Sequence, residues 1–324
     1  MNYNAIQTAL KSTYPDQHFV KVEVLQSLWS GYGEIARFRS EETGTTVIAK
    51  LISPPGSAVH PRGWNTTTSH QRKLTSYQNE RHFYAHYTQC LTDESLVARP
   101  IAISGDMAAG WILMQDLDAS GFYKRSLGDN LSALHSALQW LANFHSTFLN
   151  VKGVGLSPRG TYWYLATRQD EWNAMPDGPL KTHAADIDKR LAHCRLKTLL
   201  HGDAKVANFC FSADWNTCAA VDFQYTGLGC GIQDVVYLLG SVLDNQSLAV
   251  RANDLIDEYF ACLLPRIAKL HGEAVATEVE KEWRHLVPFA WADFERFLLG
   301  WSPSHKKLTA YSQEQVKQAL ALLD

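Results

Sequence analysis

The stretch Leu199-Leu200-His201-Gly202-Asp203-Ala204-Lys205-Val206-Ala207-Asn208-Phe209-Cys210-Phe211 sets a carboxylate, an ammonium and a carboxamide between two apolar runs. A carboxylate leaving the end of a strand can accept a proton from a hydroxyl group. Lys205, two residues on, can supply positive charge to a transferring phosphoryl group. Asn208, together with Asp222 in the later run Ala219-Ala220-Val221-Asp222-Phe223-Gln224, offers hard oxygen ligands of the kind that suit Mg²⁺. In phosphoryl transfer a protein mostly positions reactants and neutralises charge, and this set holds those parts. The plain alternative is a buried hairpin with polar turns, since Asp and Asn populate turns. Two such motifs in this order weigh against it.

Other segments must hold these residues in place. In the first hundred or so residues the reading is strands with one helix. Two β-prone runs flank a Glu42-Thr43-Gly44 turn, and a Pro/Gly/Ser/Thr-rich loop covers 53–70. A helical pattern follows, with Leu74, Tyr77, Tyr84 and Tyr87 on one face, and then two short strands around a Gly105-Asp106 turn. From about residue 128 the pattern turns helical, with segments expected at 130–149, 161–175, 182–197, 231–244, 250–271, 278–300 and 312–323. Short paired strands around Asp203 and Asp222 interrupt it. The expected organisation is α+β: a β-rich N-terminal lobe over residues 1–116 and a mainly helical lobe over 117–324. Ligands favour the cleft between such lobes.

The spacing H-x-D-x-K-x-x-N matches the catalytic loop of protein kinases, and Val221-Asp222-Phe223-Gln224 stands where that superfamily carries D-F-G. Together the two motifs resemble the H-G-D-x-x-x-x-N and V-D-F signature of the aminoglycoside phosphotransferase/choline kinase group. The D-F-Q form and the run Gly229-Cys230-Gly231-Ile232-Gln233-Asp234 are most similar to its ecdysteroid-kinase-like branch. The resemblance implies a bilobal protein-kinase-like fold, ATP as donor, Asp203 as catalytic base, and Mg²⁺ held by Asn208 and Asp222. It also implies an acid at Asp234 that anchors the catalytic-loop backbone, and a structural role for His145.

The N-terminal half carries further parts of that pattern. A kinase fold needs a strand lysine for the α- and β-phosphates and a helix glutamate to pair with it. Thr46-Val47-Ile48-Ala49-Lys50 resembles the kinase V-A-I-K, and Glu80 on the next helix is the best partner for Lys50. The plain alternatives, which weigh less, are a solvated strand-end lysine for Lys50 and an exposed helix residue for Glu80. Gly31 and Gly33 precede a strand rather than a helix, which excludes a dinucleotide fingerprint. They fit a hairpin tip whose backbone amides approach a nucleotide, or a simple tight turn. Trp111-Ile112-Leu113-Met114-Gln115-Asp116-Leu117 resembles the hinge of small-molecule kinases, which implies that Met114 lines the adenine pocket and that Gln115 to Leu117 form the hinge.

Two departures turn the acceptor from a protein to a small hydroxylated molecule. Gly202 replaces the arginine of H-R-D, and only a short glycine-rich turn separates Asp222 from the helix near Ile232. The aromatic run Trp283, Phe289, Trp291, Phe294, Phe297 and Trp301 is core that can still present a ring or two to substrate. With few acids beside it, it speaks against a polycationic acceptor. A formal net charge of −3 and the absence of a basic run give no footprint for nucleic acid. No apolar stretch reaches the roughly 20 residues of a membrane helix, and the polar start lacks the pattern of a signal peptide. Six scattered cysteines without a C-x-x-C pair read as reduced thiols, so a cytoplasmic enzyme is expected. A pseudokinase that binds nucleotide or metabolite is the alternative. The presence of base, metal ligands and phosphate lysine argues against it.

Overall fold

The computed structural model describes residues 3–28, 31–54, 67–104, 110–126, 128 and 130–323, the side chains of 67–69 excepted. The expected Gly105-Asp106 turn and most of the 53–70 loop lie outside the described residues. The chain divides into two compact units. The first comprises Met1–Gln89 and Val97–Tyr123, the second Cys90–Leu96 and Lys124–Asp324.

In the first unit, helix α1 (Tyr3–Thr13) leads into strands β1 (Phe19–Ser27), β2 (Gly33–Ser40) and β3 (Thr46–Ile52). Helix α2 (Thr67–His86) follows, then β4 (Leu96–Val97), β5 (Pro100–Ile103) and β6 (Gly110–Gln115). Five of these strands form one antiparallel sheet in the order β1-β2-β3-β6-β5. The two-residue period of a strand sorts β3 into two faces. Val47, Ala49 and Leu51 join Ala36, Phe38 and Leu113 in a core closed by Ile6 and Leu10 of α1. Lys50 and Ile52 take the opposite face, where Ile52 packs with Leu28, Tyr32 and Tyr77 of α2. Helix α1 corrects the expectation of a single helix in this half: two buried residues four apart, Ile6 and Leu10, suffice to dock it on the sheet.

The second unit is mainly helical. Helix α3 (Leu131–Thr147) begins at Asn130, whose side chain accepts from Ala133 N, and is buried along most of its length. The short helices α4 (Gln169–Ala174), α5 (Pro179–Thr182) and α6 (Ala184–Ala192) precede β7 (Thr198–Leu200), β8 (Phe209–Phe211), β9 (Cys218–Ala220) and β10 (Gly227–Gly229). Helices α7 (Ile232–Val242), α8 (Asn245–His271), α9 (Glu273–His285), α10 (Val287–Trp301) and α11 (Ala310–Ala321) complete it. The helices expected at 161–175 and 182–197 are shorter and divided. The one expected at 278–300 breaks at Leu286, because Pro288 in the first turn of α10 has no amide hydrogen to continue α9. Within this unit β7 pairs with β10 and β8 with β9, both antiparallel. Cys194, Cys210, Cys218 and Cys230 are buried free thiols, whereas Cys90 is exposed. Among the described residues no helix is long and apolar enough to cross a membrane.

Candidate active site

Strand β7 ends at Leu200, and the chain then turns sharply through His201 and Gly202. Two backbone donors exposed by that turn, His201 N and Gly202 N, reach the two carboxylate oxygens of Asp234 at 2.6 and 3.0 Å. Asp234 lies in the first turn of α7 and is fully buried, and His145 Nε2 approaches it at 3.2 Å. His145 Nδ1 lies 2.7 Å from the Tyr259 hydroxyl, so α3, α7 and α8 are tied together beneath the turn. Gly202 has φ +81°, and a Cβ built there would lie 2.0 Å from Tyr225 O. Its backbone and its surroundings both exclude a side chain, which accounts for glycine where a protein kinase carries arginine.

His201 Nε2 bonds to Val221 O at 3.0 Å, while Nδ1 accepts from Asp203 N at 3.3 Å. Burial depresses its basicity below the usual imidazole range and outweighs the opposing carboxylates of Asp234, Asp203 and Asp222. His201 is therefore a neutral strut whose tautomer is set by these two bonds.

Asp203 is 5% exposed. Its Oδ2 accepts from Lys205 Nζ at 2.9 Å and from Asn208 Nδ2 at 3.1 Å, and Asn208 Nδ2 also donates to Asp203 O at 2.8 Å. The other oxygen, Oδ1, is buried and has no partner within hydrogen-bond distance, although the Tyr237 hydroxyl interacts with the same carboxylate. For Lys205, burial acts to lower the ammonium, but the Asp203 carboxylate outweighs it and holds the group above its ordinary value. The loop carrying these residues is braced by Val206 N donating to Ser241 Oγ at 3.0 Å.

Asn208 immediately precedes β8, and Val221 N donates to Asn208 O at 3.0 Å. The β8–β9 hairpin thus brings Asn208 and Asp222 to the same end. Asp222 is in the left-handed region at φ +70°, and Gln224 Nε2 donates to its Oδ1 at 2.5 Å. Phe223 is buried against the His201 ring, 4.7 Å between centroids, which fixes the segment on either side of it. Among the described residues no three His, Cys, Asp or Glu side chains cluster as a metal site. Asn208 and Asp222 supply oxygen donors without an all-protein cage. Mg²⁺ is commonly held in that way, by one or two side chains, with substrate phosphate and water completing the shell.

In the first unit the strand register does the corresponding work. Lys50 stands on central β3 opposite Ile35 and Ile112, on the face toward α2. Its Nζ lies 2.8 Å from Glu80 Oε1 and 2.7 Å from Oε2, with both side chains almost fully buried. The Tyr77 ring lies 5.8 Å from the same ammonium. Gly31 lies between β1 and β2 and Gly33 begins β2, both at positive φ, and a Cβ on Gly33 would strike Leu51 O at 1.9 Å. Met114 and Leu117 are buried. Gln115 N donates to Arg99 O at 2.9 Å, and the Gln115 side chain donates to Ser120 Oγ at 2.8 Å. Arg37 holds the following turn by bonding Asp116 Oδ2 at 2.7 Å and Asp118 Oδ2 at 2.5 Å.

The fold therefore brings together Asp203, Lys205 and Asn208 in direct contact, and separately Lys50 and Glu80. It also reveals residues that sequence reasoning passed over. Tyr237 and Tyr162 join hydroxyls at 3.2 Å, and burial first, then the Asp203 carboxylate, pushes both phenols up. Lys307, which reads in sequence as part of a solvated loop, lies over the Tyr237 ring. For the two tyrosines the signal was aromatic density. For Lys307 there was none.

A model of the phosphotransferase enzyme family (APH) matches residues 26–271. Among solved structures, an aminoglycoside 2'-phosphotransferase in complex with GDP is similar at 12% identity over all of both chains, with a TM-score of 0.50. A microcompartment-associated aminopropanol kinase is similar at 14% identity over 99% of each chain, also with a TM-score of 0.50. An aminoglycoside phosphotransferase from Streptomyces rimosus, in complex with ADP and streptomycin, is 16% identical over 90% of this chain and 99% of its own, with a TM-score of 0.46. None of the curated proteins matches. At these identities the likeness is one of fold: a β-sheet N-terminal part and a mainly helical remainder, as in the bilobal kinases.

Proposed function

The chain belongs to the phosphotransferase enzyme family, and on that premise we propose that it transfers the γ-phosphoryl group of ATP to a hydroxyl of a small molecule, with Asp203 as general base. The observation that carries this reading is the asymmetry of the Asp203 carboxylate. Oδ2 is clamped by Lys205 and Asn208, while Oδ1 is buried and has no partner within hydrogen-bond distance. A buried acceptor without a donor costs about 1–3 kcal/mol, and a substrate hydroxyl supplies the missing donor. The hydroxyl oxygen attacks the γ-phosphorus as its proton passes to Asp203 Oδ1. The bond from that phosphorus to the β–γ bridging oxygen breaks, and ADP departs.

Lys205 has two roles in this scheme. Its bond to Oδ2 orients the base, and its charge offsets that of the transferring group. Lys50, aligned by Glu80, would take the nucleotide phosphates. Gly31 and Gly33 would cover the nucleotide, and Met114, Gln115 and Leu117 would receive its base. Asn208 and Asp222 would hold Mg²⁺, which supplies neutralising charge on the phosphates. Asn208 already spends its amide hydrogens on Asp203, which leaves its carbonyl oxygen for the ion.

Asp203→Asn tests the assignment. It preserves shape but cannot take the proton. The expected outcome is unchanged ATP binding by calorimetry with kcat lowered by about 10²–10⁴-fold. A variant that turns over like the wild type removes Asp203 from the mechanism.

A further inference from the structure

Lys307 stands in the turn between α10 and α11, its Nζ 4.5 Å from the centre of the Tyr237 ring and 5.5 Å from that of Phe294. The turn is well anchored. His305 N donates to Ser302 O at 2.9 Å and Leu308 N to His305 O at 3.0 Å. A capping box follows, in which Thr309 and Ser312 exchange hydrogen bonds at the start of α11. Trp301 and Leu308 pack from either side onto the aromatic cluster that contains Tyr237 and Phe294.

This ammonium is close to the Asp203 carboxylate without being paired to it. Asp203 acts electrostatically on both Lys307 and Tyr237, yet the partner of Asp203 Oδ2 is Lys205. None of the ion pairs among the described residues includes Lys307. Burial pushes it down to about 8, with the Asp203 carboxylate opposing. A half-buried ammonium over two aromatic rings and outside every ion pair among the described residues is a charge that a ligand anion would match.

On the surrounding helices Asp293 holds Arg296 at 2.8 Å, Glu171 holds Arg168 at 3.0 Å and Asp188 holds Arg159 at 2.7 Å, whereas burial pushes the Glu295 carboxyl up, toward its neutral form. The ring faces that could otherwise attract a ligand ammonium, those of Tyr237 and Phe294, already carry Lys307. A cationic acceptor would meet a like charge here.

We propose that the acceptor is a hydroxylated molecule with an apolar or aromatic body and a carboxylate, which Lys307 receives while the hydroxyl reaches Asp203 Oδ1. This rests on the phosphotransfer reading above and adds the chemical class of its acceptor. The partly buried edge of the aromatic cluster, Tyr162, Trp301 and Leu308, supplies the surface for the body, and Tyr237, under Lys307, is itself acted on by Asp203.

A matched set of probes tests it: 4-(hydroxymethyl)benzoate, 4-(hydroxymethyl)benzamide and 4-(hydroxymethyl)benzylamine, which share a frame and differ in charge. Binding is measured by calorimetry on the full chain with Mg²⁺ and a non-hydrolysable ATP analogue, so the result does not depend on turnover. The carboxylate is expected to bind about tenfold or more tightly than the amide, and the amine most weakly. Lys307→Met should erase the preference, and Lys307→Arg should keep it. A carboxylate that binds no better than its amide or amine, or a preference that survives Lys307→Met, overturns the inference. Product mass with ATP reports separately on phosphotransfer: tight carboxylate binding without a phosphorylated product would count against that reading while leaving Lys307 as an anion receptor.

Discussion

Two lysines in this protein are handled in opposite ways. Lys50, in the first unit, is buried on its strand with Glu80 within 2.8 Å, and its charge is matched inside the protein. Lys307, in the second, is half-buried over two aromatic rings and enters no ion pair among the described residues. A matched buried charge is part of the architecture and fails badly when its partner goes. An unmatched one is a poised charge whose partner must come from outside. The same contrast holds within Asp203, where Oδ2 is matched by Lys205 and Asn208 and Oδ1 is not. Other buried polar atoms, Asp293 Oδ2 and Glu295 Oε2 among them, also lack a partner, so it is the place of Asp203 Oδ1 beside Lys205 and Asn208 that singles it out.

The strongest way to break this comparison is to remove the internal partner. Glu80→Gln keeps the shape of the side chain and takes from the buried Lys50 ammonium the carboxylate that lies within 2.8 Å of it. It should destabilise the protein by about 3–5 kcal/mol, read as a lower urea midpoint at constant slope. If Glu80→Gln unfolds like the wild type, Lys50 is not sealed as described, and the distinction between the two lysines disappears.

Lys307→Met should behave differently. It removes a half-buried charge that no ion pair among the described residues neutralises and keeps an unbranched chain against the rings. The loss of the ring contacts, about 0.5–1 kcal/mol, is offset by relief of desolvation. Unfolding free energy should stay within about 1 kcal/mol of the wild type. A loss as large as that of Glu80→Gln would mean that Lys307 has an internal partner after all and is architectural.

The comparison also explains what could be read from sequence. Asp203, Lys205 and Asn208 lie within six residues, so their mutual contact follows from local spacing. Lys50 was legible as the end of a β-run that resembles V-A-I-K, and Glu80 as its partner from the kinase pattern on the helix that follows. Helix α1 was not legible. Two buried residues in an otherwise polar segment are a weak periodic signal, and only the sheet beneath makes them count. The break between α9 and α10 was written in Pro288 but overridden in the reading by continuous apolar periodicity on both sides. Lys307 was the least accessible. Its run Ser302-Pro303-Ser304-His305-Lys306-Lys307 has the composition of a solvated loop, and its burial comes from Tyr237 and Phe294, which are remote in the chain.

The most specific effect is a pH dependence, and it sharpens the contrast because it follows the titration of the unmatched lysine. Lys307 is pushed down to about 8 in the folded protein, burial being the main cause, against an ordinary value of 10.5. Below pH 8 both folded and unfolded chains carry the proton, and the penalty for burying it is constant. Between about 8 and 10.5 the unfolded chain holds a proton that the folded one has released, so the contribution of Lys307 to stability rises with pH across that window. The groups around it are Asp203 and Lys205 on the catalytic loop, Tyr237 on α7, and His305 and Lys306 in its own turn. Several of these also titrate, so the useful quantity is the difference between wild type and Lys307→Met, in which their contributions largely cancel. Urea unfolding at pH 7.5, 9 and 10 should show the wild type gaining on the variant as pH rises. A bound carboxylate would reverse the trend, because it favours the protonated lysine and its affinity should fall above pH 8. A difference that stays flat from pH 7.5 to 10 would place the Lys307 ammonium in water, and with it would go the reason to expect an anion there.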